Sequence, residues 1–371
     1  MPSTFSFPTT TIFEVGARRE LRGWLAKLGC SRPLIVTDAS LVKTNAFALL
    51  SACVEGMGAA VFSAVTPNPE EADVEGAWQA YRENSCDAVI AFGGGSALDV
   101  GKVIRLRIKR PDQTLAQFDY EADWSGLAPL IAIPTTAGTG SEVGRSSVII
   151  MDHRKRVIFH PALLASLVIL DPEFTRELPP KLTAATGADA LTHCIESFTS
   201  PVFHPLCEGI ALEGIHLVAG ALARAVRDGG DLEARGLMQV AAAMGGIAFQ
   251  KDLGATHSLA HPLSSLCGLH HGLANALCLP FVMDFNAERK PGVYRRVGIA
   301  LGLSDPTDAE TIAAVRALLE EIGITPGLRA HGVDESKLDA LADQAFADSC
   351  HLTNPVPVTR ADLRSLYERA L

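Results

Sequence analysis

Two helix-spaced pairs of ligand-type residues stand out in the second half of the chain. Asp189 and His193 are four apart in Gly187-Ala-Asp-Ala-Leu-Thr-His193. His257 and His261 repeat the spacing in Gly254-Ala-Thr-His-Ser-Leu-Ala-His261, and His270 and His271 follow nine and ten residues later. A separation of four puts both members of a pair on one helix face. The flanking residues are apolar, and a buried imidazole or carboxylate needs partners. Three imidazoles and a carboxylate from different helices make a closed donor set for a divalent metal. Nitrogen and oxygen donors without thiolate suit Fe2+, Zn2+, Mn2+, Ni2+ or Co2+ alike. A lone histidine pair at this spacing also occurs as a hydrogen-bonded helix face. The residues alone do not separate ligands from proton relays among the five imidazoles. The other histidines (His153, His160, His204, His216, His331 and His351) are scattered and read as structural or surface groups.

A second chemistry belongs to the first half. Gly93-Gly94-Gly95-Ser96 follows an apolar strand and opens a helix beginning at Ala97. Glycines let the backbone approach an anion, and the amides of a helix N-terminus then point at it. A dinucleotide pyrophosphate fits such a turn, although the spacing departs from GxGxxG. Thr135-Thr136 and Gly138-Thr139-Gly140-Ser141 form a similar loop after the strand Leu130–Ile133. Loops of this kind at the carboxyl edge of an open α/β sheet hold ligands. Asp38 ends the first strand. Its carboxylate either accepts from a ribose diol or caps the next segment.

The elements that must carry these groups fall into two sets. Strands are expected at 33–37, 59–65, 87–92, 130–133, 148–151 and 167–170, with helices at 46–56 and 70–84, the latter starting from Asn68 or Pro69. Alternating strands and helices imply a mostly parallel sheet covered on both faces. From Pro179 onward the spacing is helical: 183–199, 205–227, 233–249, 271–286, 294–301, 308–322, 336–345 and 360–370. The reading is therefore α/β plus all-α, with an α/β domain at 1–178 and a helical domain at 179–371.

Composition narrows the function class. The chain has 371 residues, 48% of them hydrophobic, and a formal charge of −10. That charge argues against nucleic acid as a partner, because a nucleic-acid binder needs clustered lysine and arginine. No run reaches about 18 uncharged apolar residues, so no membrane span is expected. The N-terminus carries no signal-peptide pattern. The eight cysteines form no CxxC pair, which points to unpaired thiols and a cytoplasmic setting.

The sequence resembles the iron-containing (group III) alcohol dehydrogenases along almost its whole length. The matching stretches are Val36-Thr-Asp-Ala-Ser-Leu41, Gly93-Gly-Gly-Ser-Ala-Leu-Asp99 with Lys102, and Pro134-Thr-Thr-Ala-Gly-Thr-Gly-Ser-Glu142. They continue with Thr186-Gly-Ala-Asp-Ala-Leu-Thr-His-Cys-Ile-Glu196, His257-Ser-Leu-Ala-His-Pro-Leu263 and His271-Gly-Leu-Ala-Asn-Ala276. The resemblance implies a dehydroquinate synthase-like fold, with metal and nicotinamide in a cleft between the two domains. It implies Asp189, His193, His257 and His271 as metal ligands, with Fe2+ expected and Zn2+ an alternative. It implies His261 as a non-ligating aid to proton transfer. NAD contacts are implied at Gly94, Gly95, Ser96, Asp99, Thr135, Thr136, Ser141 and Lys155, and Asp38 matches the carboxylate that favours NAD over NADP. A homodimer or larger assembly is also implied.

This sequence departs from the family pattern at His270, where proline is common, and at Ser146, where some members have asparagine. Arg145 and Lys251 offer cations for an anionic tail. Arg145, Ser146 and Lys251 are thus the substrate candidates. The expected activity is hydride transfer between NAD(H) and a small alcohol or aldehyde, with the metal polarising the substrate oxygen. Alternatives are a reductase for a short aldehyde with a phosphonate, sulfonate or carboxylate tail, a glycerol dehydrogenase or maleylacetate reductase relative, a lyase of the dehydroquinate synthase type, and a non-catalytic NAD or metal sensor.

Overall fold

The computed structural model describes residue 5, residues 9–152 and residues 154–371; His153 lies outside the described residues. They form two compact units. A sheet unit takes residues 9–136 and 140–178. A helical unit takes Pro179–Leu371, the short segment Ala137–Thr139 and Phe5.

The sheet unit is built on six strands, β1 (Thr11–Phe13), β2 (Pro33–Val36), β3 (Ala60–Phe62), β4 (Ala88–Gly93), β5 (Leu130–Pro134) and β8 (Leu167–Leu170). Their order is β1-β8-β5-β4-β2-β3, and every pairing is parallel. The sequences of β2, β4, β5 and β8 are almost continuously apolar because all of their residues are buried. Helices α1 (Leu21–Lys27) and α2 (Asn45–Cys53) pack Leu21, Leu25 and Leu50 with Ile35, Ile90, Phe92 and Ile131 of the sheet. Helix α3 (Glu71–Glu83) packs along α4 (Gly95–Lys109), and α4 packs on β4 and β5. The α4–β4 approach is close: a Cβ on Gly101 would lie 2.5 Å from that of Ala91.

Several details differ from the sequence expectation. The apolar stretch 148–151 does not join the parallel sheet. It belongs to β6 (Ser146–Met151), which pairs antiparallel with β7 (Arg154–Phe159), and Asp152 begins the turn at φ 51°. The charged Arg154-Lys-Arg156 left β7 only the short apolar run Val157-Ile-Phe159. Helix α3 is capped by Glu70, which exchanges hydrogen bonds with Asp73 in a capping box, and not by Asn68 or Pro69.

The helical unit contains α5 (Pro180–Thr199), α6 (Pro205–Arg227), α7 (Leu232–Ala248), α8 (Ala255–Cys267), α9 (His271–Arg289), α10 (Arg295–Ala300), α11 (Asp308–Glu321), α12 (Leu338–Ala347) and α13 (Arg360–Ala370). Helix α5 is its axis: it packs on α6, α7 and α9, and sixteen of its twenty residues are buried. Helix α6 is long and apolar enough to cross a bilayer by length and composition. Here one side of it, including Ala211, Ile215, Val218 and Leu222, is buried in the core of the unit.

Candidate functional site

Small residues decide where the ligand-bearing helices meet. A Cβ on Gly272, at the start of α9, would lie 2.1 Å from the Ala185 carbonyl oxygen of α5. Only glycine permits that approach, and it sets His271 beside Asp189. On the other side, a Cβ on Gly254 would lie 2.8 Å from Glu196 Oε1. Glu196 takes that space and receives the backbone amides of Gly254 at 3.0 Å and Thr256 at 2.6 Å. Helix α8 therefore has its N-terminus capped by a carboxylate from α5, in place of a side chain of its own.

These contacts bring the ligating atoms of Asp189, His193, His257 and His271 within 4.8 Å of one another. Asp189 Oδ1 lies 3.9 Å from His193 Nε2, 4.0 Å from His257 Nε2 and 3.5 Å from His271 Nε2. The His193 and His257 rings stack at 4.7 Å. Asp189, His193 and His257 are buried, whereas 31% of the His271 side chain is exposed. The cradle is thus closed on three sides and accessible past His271.

Neighbours set the protonation of these rings. The His257 Nδ1 donates to Glu196 Oε2 at 2.6 Å, which leaves Nε2 bare toward Asp189. Buried Asn275 donates through Nδ2 to Asp189 Oδ1 at 2.7 Å and faces His257 Nε2 at 3.3 Å and His271 Nε2 at 3.2 Å. With one amide hydrogen given to Asp189, the second can serve one of the two imidazole nitrogens, and the nitrogen that accepts it is unprotonated, as metal ligation requires. Burial lowers His193 to about 4, despite the pull of Asp189, and lowers His271 well below its ordinary value. Burial also opposes charge on His257 and Asp189. Glu196 nevertheless raises His257, and the three imidazoles with Asn275 hold Asp189 at about 2.

His261 stands one turn beyond His257, and its ring stacks on His271 at 5.3 Å. Its Nδ1 meets Asp348 Oδ2 at 2.8 Å. Burial opposes charge on Asp348, but the His261 contact holds its carboxyl far below the usual range. The ionised carboxylate accepts the Nδ1 hydrogen, so the outer Nε2 is the basic one. His270 precedes α9 and is exposed.

In the sheet unit, β2, β4 and β5 are adjacent and parallel, so the segments after them share one edge. Gly94 is the N-cap of α4 and supplies no capping side chain. Amides of the first turn, at Gly95 and Ser96, are therefore available to an anion. Thr135 donates its amide to the Gly93 carbonyl at 3.0 Å, and Thr136 lies against Gly94. Asp38 Oδ1 accepts from the amides of Ser40 and Leu41, so one of its oxygens serves the turn.

Other candidates are more deeply engaged. Ser96 donates to the Pro67 carbonyl at 2.7 Å. Asp99 accepts from Ser141 at 2.6 Å and from the Val148 amide at 2.8 Å. Buried Lys102 bonds Ser141 and the Ser146 carbonyl. Asp99 and Ser141 thus brace the loop that carries β6. Lys155 is exposed on β7, yet its amine is desolvated enough to be lowered. Arg145 stacks over Phe159 at 5.2 Å. Lys251 is a correction. Its amine is buried, paired with Glu208 at 2.9 Å and bonded to the Phe198 carbonyl at 3.1 Å. It is a structural cation of the α5–α6 junction, with no charge to offer a substrate.

Comparison with known proteins agrees with this geometry. The family profile "Iron-containing alcohol dehydrogenase" matches residues 8–172, and "Fe-containing alcohol dehydrogenase family, C-terminal" matches residues 183–371. The chain belongs to the iron-containing alcohol dehydrogenase family. It is an NAD-dependent, metal-containing oxidoreductase of alcohols and aldehydes. A 4-hydroxybutyrate dehydrogenase of Cupriavidus necator is 40% identical, over 96% of this chain and 97% of that protein. A solved 1,3-propanediol oxidoreductase superposes with a TM-score of 0.95 at 32% identity, over all of both chains. A sulfoacetaldehyde reductase from Bifidobacterium kashiwanohense, solved with NAD+, superposes with a TM-score of 0.92 at 30% identity, covering 100% of this chain and 99% of that one.

The cradle of this alcohol dehydrogenase fits a divalent ion. Ligand bonds of about 2.0–2.2 Å place tetrahedral donors roughly 3.4 Å apart. The separations of 3.5–4.0 Å between Asp189 Oδ1 and the three imidazole nitrogens, in a set contained within 4.8 Å, need only a modest inward movement. Three residues of this arrangement went unassigned from the sequence. Glu196 lies seven after Asp189, and Asn275 four after His271, so helix periodicity carried a signal for both. Asp348 lies 87 residues from His261 and carried none.

Proposed function

We propose that this dehydrogenase interconverts a short alcohol and its aldehyde at the cradle of Asp189, His193, His257 and His271. The observation that carries the proposal is the convergence of three imidazole nitrogens on one buried carboxylate oxygen. When bound, a divalent ion (Fe2+ foremost, Zn2+ as substitute) supplies Lewis-acid polarisation of the substrate oxygen, and NAD supplies the hydride acceptor. Asp189 offsets cationic charge in a buried setting. Glu196 fixes the His257 ring with its Nε2 turned toward Asp189, and Asn275 holds the Asp189 carboxylate in place. His261, on the accessible side, takes the alcohol proton at Nε2 while Asp348 holds its Nδ1 hydrogen. Gly94, Gly95, Ser96, Thr135 and Thr136 offer small side chains and amides to the pyrophosphate, and Asp38 and Lys155 complete the nucleotide contacts. Purified protein should contain about one ion per chain and change the NADH absorbance band with short alcohols or aldehydes. Metal-replete protein inert toward that whole series would refute the proposal.

A second reading narrows the substrate to one with an anionic tail. It is supported by the 40% identity to a relative named for 4-hydroxybutyrate, and by the Arg145 guanidinium. Under it, 4-hydroxybutyrate is preferred over 1,4-butanediol, and Arg145→Ala raises KM about tenfold for the acid alone. Equal KM changes for both substrates would end this reading. We also propose a cytoplasmic location and a homodimer or larger assembly. None of the eight cysteines is in a disulfide, which supports a reducing compartment. Sedimentation would measure the assembly.

A further inference from the structure

A second group of metal-ligating side chains lies beside the cradle. The ligating atoms of His261, Asp348 and Cys350 all lie within 4.8 Å of one another. They come from two segments. His261 is on α8, Asp348 ends α12, and Cys350 opens the 3-10 turn Cys350–Thr353. The carboxylate is already oriented: Asp348 Oδ1 accepts the Cys350 amide at 2.8 Å and the Ser258 hydroxyl at 2.9 Å, while Oδ2 faces His261 Nδ1. All three residues are partly exposed, with 38% of the His261 side chain and 21% of that of Asp348 open. An ion can therefore reach them from solvent.

We propose that His261, Asp348 and Cys350 form a separate, inhibitory site for a thiophilic divalent cation such as zinc or cadmium. One imidazole nitrogen, one carboxylate oxygen and one thiolate sulfur are a zinc-type donor set with a fourth position for water. The cradle offers no sulfur, so the softer cadmium favours this second group, whereas zinc suits both and is told apart by the Cys350→Ser variant. Binding deprotonates Cys350: the S–H bond breaks, a metal–sulfur bond forms and one proton leaves to solvent. Ligation through Nδ1, the nitrogen facing Asp348, moves the imidazole hydrogen to Nε2. His261 then has no basic nitrogen toward the His271 side, and turnover stops. The binding half stands on geometry alone. The inhibitory half rests on the proton-transfer role given to His261 above.

The test starts from enzyme holding one ion per chain in the cradle, cleared of excess metal and titrated with cadmium chloride. Expected is an ultraviolet thiolate-to-cadmium absorption that saturates at one further ion per chain. Cys350→Ser should abolish that absorption while keeping the cradle ion and the turnover measured without added metal. Asp348→Asn should weaken cadmium binding about tenfold. Zinc should inhibit the wild type reversibly, and Cys350→Ser should resist it at least tenfold better. Equal cadmium absorption in wild type and Cys350→Ser would overturn the site and assign binding to the half-buried Cys53 or Cys267. Absorption confined to the wild type with turnover untouched would overturn the inhibitory half, and with it the role of His261, while the alcohol dehydrogenase reading stands.

Discussion

In the helical unit every donor of the cradle is a side-chain atom, held by helices that approach as closely as glycine allows. In the sheet unit the ends of β4 and β5 offer mainly backbone N–H groups, with side chains kept small. The cradle depends on the identity of four residues and their outer partners. The sheet edge depends on the absence of bulk. A change of side chain should therefore be severe in the first region and graded in the second.

The largest effect is expected from removing a cradle ligand. Asp189→Ala and His271→Ala should each lose bound metal, with turnover falling about a thousandfold or more. Elemental analysis beside an NADH assay checks this, and unchanged metal content in both variants would break the comparison at its root. Next is Glu196→Gln, which keeps the shape but weakens the acceptor for His257. Metal affinity should fall about ten- to a hundredfold in a chelator competition. Nucleotide binding should be unaltered.

Gly94→Ala probes the other region. A Cβ there would meet the Thr136 side chain at 3.5 Å, an ordinary contact, so the fold should tolerate it. NAD affinity should drop roughly tenfold by calorimetry while metal content and melting temperature hold, because the methyl stands where the backbone nears the pyrophosphate. Unchanged NAD affinity would show that the loop is only a tight turn.

The smallest effect is the pH dependence of the metal-free protein. His193 sits at about 4 and His271 well below its ordinary value, both mainly through burial. Below about pH 6.5 the unfolded chain binds protons that these folded rings refuse. Stability from this pair is present above that point and is lost as pH falls toward the folded values. Asp189, lowered to about 2 by its imidazole neighbours against the effect of burial, keeps its contribution until the medium is far more acid. His257 has the opposite sign. Glu196 raises it despite burial, so its stabilisation is present at low pH and is lost as pH rises through its folded value. Two rings against one should leave a net fall of a few degrees in melting temperature between about pH 7 and pH 5. A melting temperature that rises over that interval would contradict the assigned charge states.

The parts of the fold written in short-range pattern were readable. Leu167–Leu170, Pro205–Arg227 and Arg360–Ala370 have the bounds their periodicity suggests. β7 and the three-residue β1 were not, since neither carries an apolar run longer than three residues. Within the cradle, the i,i+4 pairs made Asp189, His193 and His257 conspicuous. Lys251 misled, because a lysine between a helix and the His257 segment reads the same whether it faces a ligand or a buried glutamate.

From the order of its residues alone, this chain specified which groups can bind an ion and which turns can admit a phosphate, because helix period and glycine geometry act over a few neighbours. Tertiary structure decided the rest. The close crossing of Gly272 on Ala185 brings three imidazoles to one carboxylate oxygen. The packing of Asp348 against His261 chooses the basic nitrogen, and Glu208 claims the charge of Lys251. Each of these joins residues dozens of positions apart, where the cost of burying a polar group is settled by partners that local sequence does not name.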